Sequence, residues 1–179
     1  KPNVIVKDGV GRTFQTASVV EELDVVENLQ IAEGFRQHKW RMLGKMPKPS
    51  ERVREVLEIT GLKDDAHEPA RILPHGKKQW LEIGMLLIQN ARLLLLDEPV
   101  AGMSVEEREA TGSLLKSVAK ERTVIIVEHD MDFMRSFADS VTVMNHGSIP
   151  AEGSVDDIQA NDEVVKVYLG SGVSSNGNA

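Results

Sequence analysis

Ionisable side chains follow two apolar segments of this chain at the point where each segment ends. The segment 93–96 (LLLL) runs directly into Asp97 and Glu98, and the segment 123–127 (TVIIV) is followed closely by His129. If both segments are parallel strands, these side chains meet at the edge of the sheet where ligands bind. One carboxylate there can hold Mg²⁺ through water, a second can activate a water molecule, and an imidazole can contact a phosphoryl group. The spacing therefore predicts nucleotide hydrolysis.

Each of these signals also has a purely structural interpretation. The segment 93–98 is compatible with a core strand that runs into an exposed turn, and a single histidine near a strand end, such as His129, is more often structural. The occurrence of both segments together, in this order, favours the hydrolytic interpretation over the structural one.

The elements that would position this site are predicted by capping residues and by apolar periodicity. Ser104 and Glu107 have the spacing of a capping box, and the helix that they begin carries Leu114, Leu115 and Val118 on one face. Two short apolar segments joined by a helix are typical of a βαβ unit with a buried parallel sheet.

The amino-terminal half of the chain is predicted to be mostly helical after one short strand. That strand is Val10–Phe14, and the helical pattern extends over residues 16–91. Within it, Ser50 is a predicted N-cap and Gly61 suits the residue after the helix end. The basic stretch 34–49 reads as a solvated surface connection.

The carboxyl-terminal part adds one strand and one helix. The segment 141–144 is a predicted strand, and Ser154 is predicted to cap a helix that continues to about Tyr168. The last nine residues, SGVSSNGNA, are small and polar, so we expect them to be disordered.

The composition excludes several classes of function. The net charge is −7, from 28 acidic and 21 basic residues, which argues against a nucleic-acid-binding protein. The chain has no cysteine, so it holds neither a disulfide nor a thiolate metal site. Its longest apolar stretches are far too short to cross a bilayer, so we expect no direct membrane insertion.

Four segments resemble the motifs of ABC transporter ATP-binding subunits, in the order found in that family. LLLLDEPVAGM (93–103) resembles the Walker B segment and D-loop, and VEHDM (127–131) resembles the switch-histidine segment. GRTFQ (11–15) is similar to the strand that enters the Q-loop, and LPHGKKQWLEIGMLL (73–87) is similar to the ABC signature and its helix. The resemblance implies an α/β fold of the P-loop NTPase (RecA-like) class, with ATP and Mg²⁺ as ligands.

The resemblance also implies a division of the chain. Residues 1–15 and 91–153 correspond to the RecA-like core, residues 16–90 to the helical subdomain with the signature, and residues 154–179 to a carboxyl-terminal helix and tail.

The roles of four residues follow from the same resemblance. Asp97 is the expected Mg²⁺-organising residue, Glu98 the general base for water, and His129 the sensor of the γ-phosphate. Gln15 is expected to contact Mg²⁺ and water and to report to the membrane subunit.

The signature implies a second ATPase subunit, because in this family two subunits dimerise head to tail and each signature closes the ATP site of the other. Anion binding at the start of a helix, here expected near Lys78, is the physical basis. The usual Leu-Ser-Gly-Gly-Gln is altered, since Pro74 replaces the serine and lacks an N–H donor, and Lys77 replaces the glutamine. The nucleotide-contacting residues implied are Leu73, Pro74, His75, Gly76, Lys77 and Gln79.

Three further segments resemble the urea-import branch, with branched-chain amino-acid importers as near relatives. They are Gln79–Trp80, residues 99–103 (PVAGM) and residues 164–170 (VVKVYLG). The implied partners are transmembrane permease subunits, and the implied location is cytoplasmic, peripheral on the inner face of the plasma membrane.

No segment matches the P-loop pattern Gly-x-x-x-x-Gly-Lys-[Ser/Thr]. Gly44-Lys45 is followed by Met46, and Gly76-Lys77 is followed by Lys78, so neither qualifies. The resemblance implies an amino-terminal truncation that removes the P-loop strand and the N-terminal β-subdomain. A non-catalytic interaction fragment therefore stays open as the alternative to an ATPase, whereas a soluble ABC ATPase acting on DNA or ribosomes is disfavoured by the acidic charge.

The missing P-loop predicts that this chain alone has negligible affinity for ATP, because the backbone amides and lysine that hold the β- and γ-phosphates are absent. Titration calorimetry of the purified chain with Mg-ATP measures this directly. Micromolar binding would contradict the prediction.

Overall fold

The computed structural model describes residues 8–13, 19–34, 48–162 and 164. They form two compact units, Lys1–His129 and Asp130–Ala179. The first contains β1 (Val10–Arg12), α1 (Val25–Gly34), α2 (Glu51–Thr60), a 3₁₀ turn (Ala70–Ile72), α3 (His75–Ile88), β2 (Leu93–Asp97), α4 (Val105–Ala119) and β3 (Thr123–Val127). The second contains α5 (Met131–Phe137), β4 (Val141–Asn145), β5 (Ser148–Gly153) and α6 (Val155–Gln159). Among the helices described, none combines the length and the apolar character that a membrane crossing requires.

The first unit is built on a three-stranded parallel sheet in the order β1-β2-β3. Leu93 pairs with Thr123 at one end of the β2–β3 ladder, and Asp97 pairs with Val127 at the other. Helix α4 connects these two strands, and its capping box is present, with Ser104 and Glu107 bonded to each other's backbone amides. The predicted βαβ unit is therefore confirmed.

The prediction of a buried sheet holds for one face of β2 and is wrong for β3. Leu94 and Leu96 are almost completely buried, whereas Ile125 is 51% exposed and Val127 63% exposed. Among the described residues β3 pairs only with β2, and nothing covers the face that carries Ile125 and Val127. Apolar residues alone do not determine burial, because a second layer has to be present to cover them.

The helical region follows the cap predictions except at one helix start. The Ser50 hydroxyl accepts a hydrogen bond from the Val53 amide at 3.1 Å, and Gly61 ends α2 in the left-handed conformation at φ 68°. Helix α3 begins at His75 rather than near Lys78. Pro74 stands just before the first turn, where a helix needs no N–H donor from it, so the proline is compatible with an early start.

Helix α3 lies close to both α1 and α2 because it carries Gly84 at the contact. A Cβ added at Gly84 would lie 3.1 Å from Val56 Cγ1 and 3.2 Å from Leu29 Cδ2. Leu29 and Val56 are completely buried, so neither has free space to move into. The glycine therefore sets how closely the three helices of this subdomain approach.

The second unit is a β-hairpin packed against two short helices. The hairpin turns at His146 and Gly147, with φ values of 46° and 79°, which is the type I′ pattern of tight hairpins. Strand β5 was not predicted, because its sequence lacks an apolar alternation. The core of the second unit consists of Met134, Val141, Val155, Ile158 and Val164.

The predicted helix from Ser154 to about Tyr168 is interrupted after α6: residues 162 and 164 are helical again, and residues 165–168 lie outside the described residues. Ser154 caps α6 as expected, but the helix ends at Gln159. The Asn161 side chain then accepts a hydrogen bond from the Val164 amide at 3.3 Å, which is the bond that an N-cap residue makes at the start of a helix. The basic stretch 35–47 and the tail 171–179 lie outside the described residues.

Gly84→Val should destabilise the first unit by about 1–3 kcal/mol, since the added methyl groups meet packed side chains of α1 and α2. Gly34→Ala is the matched control, because a Cβ at Gly34 meets no atom within 4 Å. Urea unfolding followed by circular dichroism measures both. Equal unfolding midpoints for Gly84→Val and the unmodified chain would contradict the packing argument.

Candidate active site at the carboxyl edge of the sheet

Asp97 is held at the end of β2 by a buried threonine of β1's extension. The Asp97 amide donates to Thr13 Oγ1 at 3.3 Å, and the Thr13 amide donates to the Leu95 carbonyl at 3.0 Å. Thr13 is 2% exposed, so this anchor is fixed by packing. Arg12 Nη2 lies 3.9 Å from Asp97 Oδ2, and the Arg12 side chain is 60% exposed, so that ion pair contributes little. The Asp97 carboxylate stays partly exposed at the sheet edge.

Glu98 occupies an unusual backbone conformation immediately beyond β2. Its φ is 47°, in the left-handed region that side chains with a Cβ rarely adopt. The conformation is fixed on both sides, because the Glu98 amide donates to the Val127 carbonyl at 2.9 Å and its carbonyl accepts from the Ala101 amide at 3.2 Å. Strain of this kind is maintained where the surrounding structure determines it, often at functional sites.

His129 lies beside Glu98, as the sequence predicted from the two strand ends. Nδ1 of His129 is 3.5 Å from Glu98 Oε1, and the two side chains are 74% and 40% exposed. The distance is long for a strong direct hydrogen bond, and it leaves no room for a water molecule between the two atoms. The pair therefore presents a carboxylate and an imidazole together to solvent at the sheet edge.

Glu128, which the sequence analysis assigned no role, is the buried member of this group. Its side chain is 2% exposed. Oε1 accepts from the Val100 amide at 3.3 Å, and Oε2 accepts from the His129 amide at 3.1 Å. The sequence shows that Glu128 lies between an apolar strand and His129. It does not show the hydrogen-bond partner Val100, because that residue lies in a different turn.

The residues of the signature segment start helix α3, and one of them packs against α4. Gly76 is buried, and a Cβ there would lie 2.8 Å from Glu107 Oε1. Glu107 cannot withdraw freely, because its Oε2 accepts from the Ser104 amide at 2.9 Å. The close packing against Glu107 therefore explains why position 76 is a glycine, independently of any bound phosphate. The first-turn amides of a helix have no intrahelical acceptor, so the start of α3 retains anion-binding capacity.

The remaining signature residues are distributed differently from the expectation. Lys77 Nζ lies 2.6 and 2.8 Å from the two carboxylate oxygens of Asp65, so its charge is matched within the subdomain. Gln79 is 4% exposed, and the structure does not bring it to a surface that a ligand can reach. Pro74 and His75 are exposed, while Leu73 is buried.

The expected ligands fit the donor chemistry only in part. Asp97 and Glu98 supply carboxylate oxygens, the donors that Mg²⁺ prefers, and Mg²⁺ usually keeps several waters and substrate oxygens. Across the described ranges no three His, Asp or Glu side chains are grouped closely enough to hold a metal by themselves. Gln15, the other expected Mg²⁺ contact, lies outside the described residues.

The Gly76–Glu107 contact predicts non-additive effects on stability. Gly76→Ala should lower the free energy of unfolding by about 1 kcal/mol, because the new methyl group displaces the Glu107 carboxylate from its capping bond. In a Glu107→Ala background the same Gly76→Ala change should have almost no effect. Urea melts of the four proteins measure the coupling, and equal effects in both backgrounds would contradict the contact.

Comparison with known proteins identifies the family. Residues 2–101 match the family model described as ABC transporter. The chain is 33% identical to the high-affinity branched-chain amino acid transport ATP-binding protein BraF of Pseudomonas aeruginosa, over 93% of this chain and 69% of that protein. It is 30% identical to the high-affinity branched-chain amino acid transport ATP-binding protein LivG of Escherichia coli, over 93% of this chain and 69% of that protein.

Solved structures give the same result for the fold. MJ1267, an ATP-binding cassette of an ABC transporter, in its ADP conformation, aligns with a TM-score of 0.78 at 30% identity, over 95% of this chain and 72% of that one. MJ0796, described as dimeric and bound to ADP and Pi, aligns with a TM-score of 0.69 at 22% identity and shows the fold alone. The predicted α/β P-loop NTPase class is confirmed. The chain belongs to the ABC transporter ATPase family, whose members hydrolyse ATP.

Proposed function

We propose that this chain provides the water-activating side of the ATP site in the ATPase subunit of an ABC importer. The observation that carries the proposal is the position of Glu98 and His129, with Nδ1 and Oε1 3.5 Å apart, next to Asp97 at the carboxyl edge of the sheet. A general base, a phosphate contact and a metal-organising carboxylate are the parts that phosphoryl transfer to water requires.

In this proposal Glu98 accepts the proton of the attacking water. The fixed left-handed backbone at Glu98 limits the directions that its carboxylate can take, so the water is held in one place. His129 is exposed enough to reach the γ-phosphoryl oxygens, and Asp97 would hold Mg²⁺ through water. When bound, Mg²⁺ neutralises charge on the phosphate oxygens.

The start of α3 would face a nucleotide held by a second subunit, in a head-to-tail dimer. This use of α3 relies on backbone amides of its first turn, because Pro74 contributes neither a hydroxyl nor an N–H. Lys77 would have to leave Asp65 to contribute a charge. Transmembrane permease subunits complete the proposed assembly, at the cytoplasmic face of the membrane.

Branched-chain amino acids are the solutes that we propose for such an importer. Support comes from relatives described as branched-chain amino acid transport ATP-binding proteins, found in Pseudomonas aeruginosa, Escherichia coli and Archaeoglobus fulgidus. Urea, which the segments at 79–80, 99–103 and 164–170 favoured, has no support among these relatives.

A second candidate is a non-catalytic module that keeps subunit contacts without turnover. The absence of a P-loop pattern from the sequence and the proline at position 74 favour it for this chain taken alone. The two candidates are separated by turnover in a completed subunit, by which we mean a chimera in which a segment that carries the P-loop pattern precedes this chain.

In the completed subunit, Glu98→Gln should lower ATP turnover by at least about 100-fold, because the amide cannot accept the proton of water. Binding of ATP should be retained, since the phosphates are held by other groups. Glu121→Gln, at a side chain that is 76% exposed, is the matched control and should behave as the unmodified protein. Turnover that is unchanged by Glu98→Gln would remove Glu98 from its role, and a completed subunit that binds ATP without hydrolysing it would favour the non-catalytic module.

A further inference from the structure

We propose that Glu128 is a positioning residue that fixes the turn after β2 (residues 98–103) to the turn after β3, and thereby sets the separation of Glu98 and His129. The inference rests on the proposed function, because it concerns the geometry of the same pair. It adds a residue to which neither the sequence motifs nor the comparisons assign a role.

The burial of the Glu128 side chain supports a positioning role. The Glu128 side chain is only 2% exposed, although the side chain of its neighbour His129 is 74% exposed. Burial of a charged or polar group is unfavourable unless its hydrogen-bonding capacity is used. Both oxygens of Glu128 are used, and both accept from backbone amides rather than from mobile side chains.

The two amides that donate to Glu128 lie in two different turns. One is the amide of His129, and the other is the amide of Val100, in the turn that begins at Glu98. Val100 is 4% exposed, so its N–H has little access to a replacement acceptor in water. Glu128 therefore joins the backbone of one proposed catalytic residue to the turn that carries the other.

The turn is also held by its own bonds and by Thr111, whose hydroxyl lies 3.3 Å from Met103 Sδ. Within it, the Ala101 amide donates to the Glu98 carbonyl and the Met103 amide donates to the Val100 carbonyl. At its start, the Glu98 amide donates to the Val127 carbonyl at 2.9 Å. This bond and the bond from the Val100 amide to Glu128 attach the turn to the end of β3, on either side of Pro99. Two attachments prevent a rotation of the turn that a single attachment would allow.

The consequence is a specific kinetic effect. Loss of the Val100 bond releases the turn and lets the Glu98 carboxylate drift relative to His129, while the P-loop that holds the phosphates in the completed subunit is left unchanged. Small displacements of reacting groups reduce the rate of the chemical step strongly. The turnover number should fall while the Michaelis constant for ATP stays the same.

The test compares Glu128→Met with Glu128→Gln. Methionine has a similar volume and no strong acceptor, so it fills the space without forming either bond. The glutamine carbonyl can still accept from Val100, while its NH₂ group replaces the oxygen that accepts from His129, so Glu128→Gln keeps the Val100 bond and loses the His129 bond. Glu121→Met is the control for the same change at an exposed site. Glu128→Asp is the reserve variant if Glu128→Met does not fold, because its carboxylate is one methylene too short to reach Val100.

The first readout is amide hydrogen exchange in this chain as it stands. We expect the Val100 amide to exchange at least about tenfold faster in Glu128→Met, with Val56 in α2 unchanged, and to remain protected in Glu128→Gln. Faster exchange at Val56 and Val100 alike would mean a general loss of stability and would overturn the proposal.

The second readout is ATP hydrolysis by the completed subunit. We expect kcat to fall about 10- to 100-fold in Glu128→Met, with an unchanged KM, and to stay within about threefold of the unmodified value in Glu128→Gln. Unchanged kcat in Glu128→Met, equal losses in both variants, or a change confined to KM would each overturn the positioning role. Turnover that survives Glu98→Gln identifies a failure of the proposed function instead, and the exchange data then decide the role of Glu128 separately.

Discussion

The in-register parallel pairing of β2 with β3 is the constraint on which the candidate site depends. Asp97 faces Val127 across the ladder, so the chain leaves both strands at the same level of the sheet. The next residues, Glu98 and His129, are thereby brought within 3.5 Å of each other although they are distant in sequence. A slip of one residue would turn every side chain of a strand to the other face and separate them. Helix α4 serves this pairing, since it returns the chain to the start of β3.

Glu107 and Thr13 each meet two requirements at once. Glu107 completes the capping box of α4 and also packs against Gly76 in the signature segment, so the start of one helix restricts the sequence at the start of another. Thr13 fills space in the core and also accepts from the Asp97 amide. Interpretation of Gly76 or Glu107 by motif alone therefore overlooks a packing reason that is already sufficient.

The sequence predicted what is encoded locally, and missed what depends on distant contacts. The Ser104 cap and the parallel strands followed from short patterns, and the juxtaposition of Glu98 with His129 followed from the general rule about strand ends. The burial of Glu128 could not be predicted, because its second hydrogen bond joins two turns that only the sheet brings together. The exposure of β3 and the early start of α3 were likewise decided by tertiary surroundings and by tolerance of proline at a helix start.

Glu98 and His129 are proposed to act in the same chemical step, Glu98 on the attacking water and His129 on the γ-phosphoryl group. A double-mutant cycle on ATP turnover in the completed subunit tests this central claim most directly, with Glu98→Gln, His129→Ala and the combined variant. Groups that act as a unit give strongly non-additive losses, so the combined variant should be about as slow as the slower single variant. Losses that multiply independently would contradict the account, because they would show that the two side chains contribute to separate steps or sites.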